Sequence, residues 1–296
     1  MDLLLSGQLL AAALVAGALY ALIALGLNLV YGTMRLLNIA HGDLVMIGAY
    51  VAFWCFTLFG ISPLISGVAA VALTAALGAA AYFGLFRGAL RSNQIVERLE
   101  ANSLLLFFGV SIIIQNVAAL AFSASPRAYR YLDGVVQIGG ASITESRLAM
   151  FAVATVVCAA FVLFLRWSVF GLAMRALIQS RDASAIVGID LDRVQLITFC
   201  VGFGVAGLAG ALISMTEQIS PFMGFPFTIA AFVVIILGGL GNLAGGIVAG
   251  LILGFLDTYG VALTSPNYRS VVIYGVFVLI LVLRPQGLLG RPRIAR

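Results

Sequence analysis

The chain has 296 residues, 63% of them hydrophobic and 9% charged, against roughly 25% charged in soluble domains, which excludes a soluble fold and places it among polytopic membrane proteins. All 16 basic residues are arginine. Without lysine there is no G-x-x-x-x-G-K-[ST] phosphate loop and no Schiff-base chemistry, so any ATP used must be bound by another subunit. A single histidine, His41, with Cys55, Cys158 and Cys200 in separate apolar runs, rules out a multi-histidine zinc site and points to buried rather than redox-active cysteines.

Lipid admits only helices or closed barrels as spanning structures, and the apolar runs here are continuous rather than alternating, so we expect an all-α polytopic membrane protein forming a single transmembrane domain over 1–296. The first run lacks a basic leader and is too long for a signal peptide, so it is expected to stay as a span over 8–30. Further spans are expected at 43–59, 63–86, 104–122, 148–165, 194–215 and 270–284. The run 228–263 is too long for one helix and is interrupted by "GGLGNLAGG" at 238–246, which predicts a Gly-rich break and a total of eight or nine helices.

Between the first two spans, "NIAHGD" puts Asn38, His41 and Asp43 within six residues. Three roles are open. His41 and Asp43 could form a catalytic pair, although no serine or cysteine nucleophile accompanies them. The three side chains could cap the second span around Gly42, or they could line a translocation path. Asn28, Gln115 and Asn116 lie inside apolar runs, where interhelical hydrogen bonding is the usual role. Asp257 reads as an interface carboxylate near the end of its run, and Glu217 as a solvated or partner-contacting residue at a span end. The small-residue stretch "GFGVAGLAG" at 202–210 reads as a surface for close helix packing.

Charge is concentrated in "MRALIQSRDASAIVGIDLDR" (174–193), within a connecting loop at 166–193. Its apolar residues repeat at helical spacing, predicting a helix of about three turns that Gly188 stops. Asp192 with Gln195 reads as a capping box for the next span. The segment is either a solvated connector or a docking helix that transmits a partner's movement to the membrane. If the loops at 32–42, 87–103 and 166–193 and the tail from 284 share one side, that side holds twelve arginines, against Arg127, Arg130, Arg147 and Arg269 on the other. The positive-inside rule then puts the N-terminus outside and the C-terminus in the cytoplasm, and the net charge of +5 reflects topology rather than nucleic-acid binding.

Asp182-Ala183-Ser184, three residues, then Gly188 resembles the E-A-A-x-x-x-G loop of ABC importer permeases, with Asp in place of Glu and Ser in place of the second Ala. The blocks "GLNLVYGTMRLLNIAHGDLVMIGAYVA" (26–52), "GLAMRALIQSRDASAIVGI" (171–189), "ISPFMG" (219–224), "LGGLGNLAGGIVAGLILG" (237–254) and "RPQGLLG" (284–290) narrow the resemblance to the branched-chain amino acid permeases of the hydrophobic amino acid uptake transporters. Ala244 and Asn242 depart from the proline and small hydroxyl residue common there.

The resemblance implies a bacterial inner-membrane permease with a second, related permease subunit, two cytoplasmic ATP-binding subunits and an external solute-binding protein. ATP and Mg would sit on the partners, with no cofactor in this chain. Arg175, Arg181, Asp182, Ala183, Ser184 and Gly188 become the candidates for ATPase coupling, and Asn38, His41, Asp43 and Asn242 the candidates for the pathway. An importer of the same kind for urea or short amides remains open. An ion-coupled secondary transporter is the less favoured alternative, because Asp257 is the sole candidate intramembrane acid and no repeat is evident.

Overall fold

The computed structural model describes residues 6–90, 93–138, 140–265, 268–283 and 287–288. Arg91, Arg284, Arg291, Arg293 and Arg296, five of the arginines behind the expected orientation, and most of the "RPQGLLG" block lie outside the described residues.

The protein is helical almost throughout. Helix α1 (Gly7–Met34) is followed by α2 (His41–Phe59) and α3 (Pro63–Ala81). The latter runs through a π-helical turn at Tyr82–Phe86 into the single turn α4 (Arg87–Leu90). Then come α5 (Asn93–Phe122), a hairpin of β1 (Val135–Ile138) and β2 (Ala141–Thr144), and α6 (Glu145–Trp167). Two short helices, α7 (Val169–Gln179) and α8 (Arg181–Ile186), lead into α9 (Leu191–Ile213), α10 (Gly224–Gly238), α11 (Leu243–Leu263) and α12 (Arg269–Leu283). Among the described residues seven helices are long and apolar enough to cross a bilayer. Helices α10 and α12 are equally apolar but have 15 residues each, so the chain is an all-α polytopic membrane protein.

Local signals explain the helix ends. The Ser6 and Ser62 hydroxyls accept the Leu9 and Ile65 amides at the starts of α1 and α3, and Pro63 occupies a first-turn position where its missing N–H costs nothing. The expected break near 238–246 is a turn at residues 239–242, where Gly239 and Gly241 have φ of 97° and 80°. These left-handed values strain any residue with a Cβ.

Helix α1 is enclosed by the other helices along most of its length and packs antiparallel against α11, where a Cβ on Gly250 would lie 2.6 Å from Ala21 Cα. Helix α9 uses its small residues in the same way: a Cβ on Gly202 would lie 2.7 Å from the Gly26 carbonyl oxygen, and one on Gly204 would touch Val71 of α3. Backbones approach this closely only where side chains are absent, which gives dispersion contact between helices that gain no hydrophobic drive from leaving lipid.

One expected surface loop is not one. After Arg35, which stays exposed, residues 36–40 turn back into the protein, with Leu36 and Asn38 fully buried. Helix α2 starts beside Ile23 of α1. Ile23 precedes Met34 by 11 residues, so α2 begins about 16 Å from the end of α1, roughly half of a ~30 Å hydrocarbon core.

The α5–α6 connection folds over the opposite end of the bundle. Its hairpin is tied to α1 by Gln8, whose amide donates to the Ser142 carbonyl at 2.9 Å and accepts the Ser142 N–H at 2.8 Å. Arg127 and Ile219 exchange backbone hydrogen bonds, joining this connection to the one after α9.

Candidate functional site

Three polar constellations stand out, and the sequence named residues in each. The first is the connector between α6 and α9. It is two helices rather than one, because Ser180 is extended and its hydroxyl accepts the Ala183 N–H at 3.2 Å, capping α8 separately. A serine that bonds backbone beyond itself competes with helix continuation, which divides the expected three-turn helix. Gly188, at φ 84°, closes α8 as expected: its N–H donates to Ala185 O at 3.1 Å and the Ile189 N–H to Ser184 O at 3.1 Å. This paired pattern is the Schellman stop. The cap of α9 is Asp190, not Asp192, since Asp190 Oδ1 accepts the Arg193 N–H at 3.1 Å and its Oδ2 pairs with Arg193 Nε at 2.7 Å. Gln195, the other half of the expected capping box, is fully buried.

Helix α7 is anchored on three sides. The Arg175 guanidinium donates to the Leu165 carbonyl in the last turn of α6. A Cβ on Gly32, near the end of α1, would lie 3.2 Å from Ile178 Cδ1, and one on Gly241 would lie 3.7 Å from Ile178 Cγ2. Helix α8 itself is uncovered: Ser184 is buried, but Asp182, Ala183 and Ala185 are exposed and Ile186 is 85% exposed.

The second constellation is the buried start of α2. The Ala40 N-cap has no capping side chain. Thr228 of α10 supplies the missing acceptor: its hydroxyl takes the Gly42 N–H at 2.8 Å and donates to the Ile39 carbonyl at 3.0 Å. Gly42 and Gly224 meet backbone to backbone, so the positive ends of α2 and α10 converge. Capping by Asn38, His41 and Asp43 themselves is therefore not what the structure shows. His41 Nε2 donates to the Ile23 carbonyl at 2.9 Å, which leaves Nδ1 as the acceptor nitrogen, buried with no hydrogen-bond partner. Asp43 Oδ1 accepts from Gln115 Nε2 at 3.0 Å, while Oδ2 has no partner. Both amide atoms of Asn38 are buried without partners. His41 and Asp43 thus turn to different helices, and no catalytic pair forms.

The third is the α10–α11 turn. Asn242 caps α11 by accepting the Gly245 N–H at 3.1 Å, and Asn28 of α1 bonds the same turn twice, at Gly241 and Asn242. Asn116, expected to bond between helices, returns instead to the Ile112 carbonyl of its own helix at 2.8 Å. Thr228 and Ser111, the latter accepting from Gln115 at 3.0 Å, were not singled out by sequence, since isolated hydroxyls in apolar helices commonly bond their own backbone. Among the described residues no three metal-binding side chains cluster.

The description "Branched-chain amino acid transport system / permease component" matches residues 9–281. The high-affinity branched-chain amino acid transport system permease protein LivH of Salmonella typhimurium is 34% identical, covering 95% of this chain and 94% of its own length. BraD of Pseudomonas aeruginosa, a permease protein of the same description, is 31% identical over 98% of this chain and 97% of its own. LivM of Salmonella typhimurium, a second permease protein of that description, is 28% identical over 93% of this chain and 68% of its own. No solved structure matches. With a match of this extent over a bundle of this architecture, the chain belongs to the branched-chain amino acid permease family, as a multi-pass transport subunit and not an enzyme.

Proposed function

We propose that this chain is one membrane-spanning subunit of an ATP-driven importer that carries branched-chain amino acids into the bacterial cytoplasm across the inner membrane. The observation that carries this reading is family membership spanning residues 9–281. The complex would comprise a second, related permease, two cytoplasmic ATP-binding subunits holding ATP and Mg, and an external solute-binding protein. The N-terminus would lie outside and the C-terminus in the cytoplasm.

Coupling is assigned to α7 and α8. The exposed turn with Asp182, Ala183 and Ile186 would seat in a cleft of the ATPase, with Ser184 and Gly188 fixing its shape and Arg181 at its start. Arg175 would hold α7 to α6, and Ile178 would bear on the ends of α1 and the α10–α11 turn. ATP-driven closure of the two ATPases would then move a lever that touches α6, the end of α1 and the α10–α11 turn, changing the side to which the membrane cavity opens. Asn38, His41 and Asp43 would lie on or beside the path, their unpartnered polar atoms available to water or solute as the helices shift. Asn242 would act as the cap of the turn that the lever presses.

The test is reconstitution of the whole complex in proteoliposomes. Leucine uptake is expected to require ATP and the ATPase subunits. Uptake driven by an ion gradient without ATPase would replace this reading with a secondary transporter, and uptake of urea or acetamide in preference to leucine would replace the substrate.

A further inference from the structure

Two of the cavities bounded by the described residues are large enough for an amino acid. The larger, about 830 Å³ between α2, α3 and α5, has Tyr50 and Trp54 among an otherwise apolar lining but no Arg, Asp or Glu, so it sets no opposite charge against either end of an amino acid. The smaller, about 470 Å³, lies between the first half of α1, the start of α6, the connection after α9 and the last turns of α11. It is at the end of the bundle away from α7, whose Ile178 meets the far end of α1.

This second cavity is chemically divided. Leu19, Met150, Phe227 and Val261 give it an apolar wall, and Arg147, Glu217 and Asp257 bring charges of both signs. Asp257 is 5% exposed on a membrane-spanning helix, and the Tyr20 hydroxyl donates to its Oδ2 at 2.7 Å. A buried, oriented carboxylate on such a helix is costly facing lipid and is kept where it faces a cavity or a partner. Arg147 and Glu217 are exposed, so the pocket carries a cation and an anion that solvent or solute reaches. The volume falls within the ~300–1,000 Å³ of small-molecule sites.

We propose that this pocket is a subsite of the permease itself for a free, zwitterionic amino acid with an apolar side chain. The solute carboxylate pairs with the Arg147 guanidinium, a fork suited to two-point carboxylate recognition. The ammonium meets Asp257 and Glu217, and the side chain lies on the wall of Leu19, Met150, Phe227 and Val261. The inference rests on the importer reading and adds to it a solute-contacting site in this chain.

The experiment uses the complete importer in proteoliposomes with saturating loaded binding protein, recording radiolabelled leucine uptake and ATP hydrolysis together. Asp257→Asn, which keeps an acceptor for Tyr20, and Arg147→Gln are each expected to lower leucine transported per ATP about tenfold, with binding-protein-stimulated hydrolysis retained. Val261→Trp is expected to depress leucine uptake more than alanine uptake by narrowing the apolar wall. Arg147 is exposed, so its variant keeps the test decisive even where Asp257→Asn fails to assemble. Unchanged leucine-to-ATP ratios in Arg147→Gln and Val261→Trp overturn the subsite. So does a raised half-saturating concentration of binding protein with normal uptake at saturation, which would make this face a docking surface. Absence of ATP-driven leucine uptake in the wild type sinks the importer reading instead.

Discussion

Asn28 and Asn242 lock α1 to the turn between α10 and α11: Asn28 Nδ2 donates to the Asn242 carbonyl at 2.9 Å while its Oδ1 accepts the neighbouring Gly241 N–H at 2.8 Å. One amide thus satisfies two backbone groups in a stretch that has left helical geometry. Asn28→Leu keeps the approximate volume and strands the Gly241 N–H, while the Asn242 carbonyl keeps the Gly246 N–H at 2.9 Å. A stranded group costs roughly 1–3 kcal/mol, so the variant should melt at a lower temperature in detergent than the wild type. An unchanged melting temperature would show that the turn is held by packing alone.

Thr228 occupies the equivalent position for the start of α2. Thr228→Val removes the acceptor for Gly42 and the donor to Ile39 with little change in shape. A loss of about 1–3 kcal/mol is expected, with Thr228→Ser restoring most of it. Thermal melting of the two variants side by side checks this, and equal stability of Val and Ser would contradict it.

The division between α7 and α8 depends on Ser180. Ser180→Ala removes the α8 cap, for which about 1 kcal/mol is typical, and should lower the leucine-to-ATP ratio while the permease still inserts. Gly188→Pro should act more strongly, because proline fixes φ near −65° where Gly188 has 84° and deletes an N–H that bonds Ala185. Pull-down of the ATPase by tagged permease is expected to fall sharply for Gly188→Pro and for Asp182→Arg. Full retention by both would remove the coupling assignment.

Tyr129, in the connection after α5, provides a pH test. Burial pushes its phenol up to about 12. The Ser214 hydroxyl donates to Ala211 O at 2.7 Å, so Tyr129 is the donor in its 2.7 Å bond to Ser214. The folded state favours the protonated phenol. Its contribution is therefore complete below the unfolded value near 10 and is lost as pH rises toward about 12. Melting temperature plotted against pH should fall less steeply between those values in Tyr129→Phe than in the wild type. Parallel curves would rule the contribution out.

Much of the bundle was legible in the sequence because lipid imposes length and composition on a span, and the breaks at 239–242 and at Gly188 were legible because glycine marks left-handed backbone. The descent of residues 36–40 was not. Hydropathy measures transfer out of water and does not distinguish a segment buried in protein from one at the membrane surface. Asp190 and Asp192 are both plausible caps by type, and only the backbone direction at Leu191 selects the first. Thr228 was invisible because its partner Gly42 is 186 residues away. The hairpin at 135–144 is signalled by Gly139-Gly140 between two short β-branched runs, but its tie to Gln8 of α1, 134 residues away from Ser142, is not.

Cross-linking from α8 tests the coupling role most directly. With Cys55, Cys158 and Cys200 replaced, a cysteine at Ile186 in the intact complex should cross-link to the ATPase subunit and be shielded from a water-soluble maleimide when that subunit is bound. A control cysteine at Val135, in the hairpin at the other end, should do neither. Equal maleimide labelling of position 186 with and without the ATPase, and no cross-link in an assembled complex, would contradict the role assigned to α7 and α8.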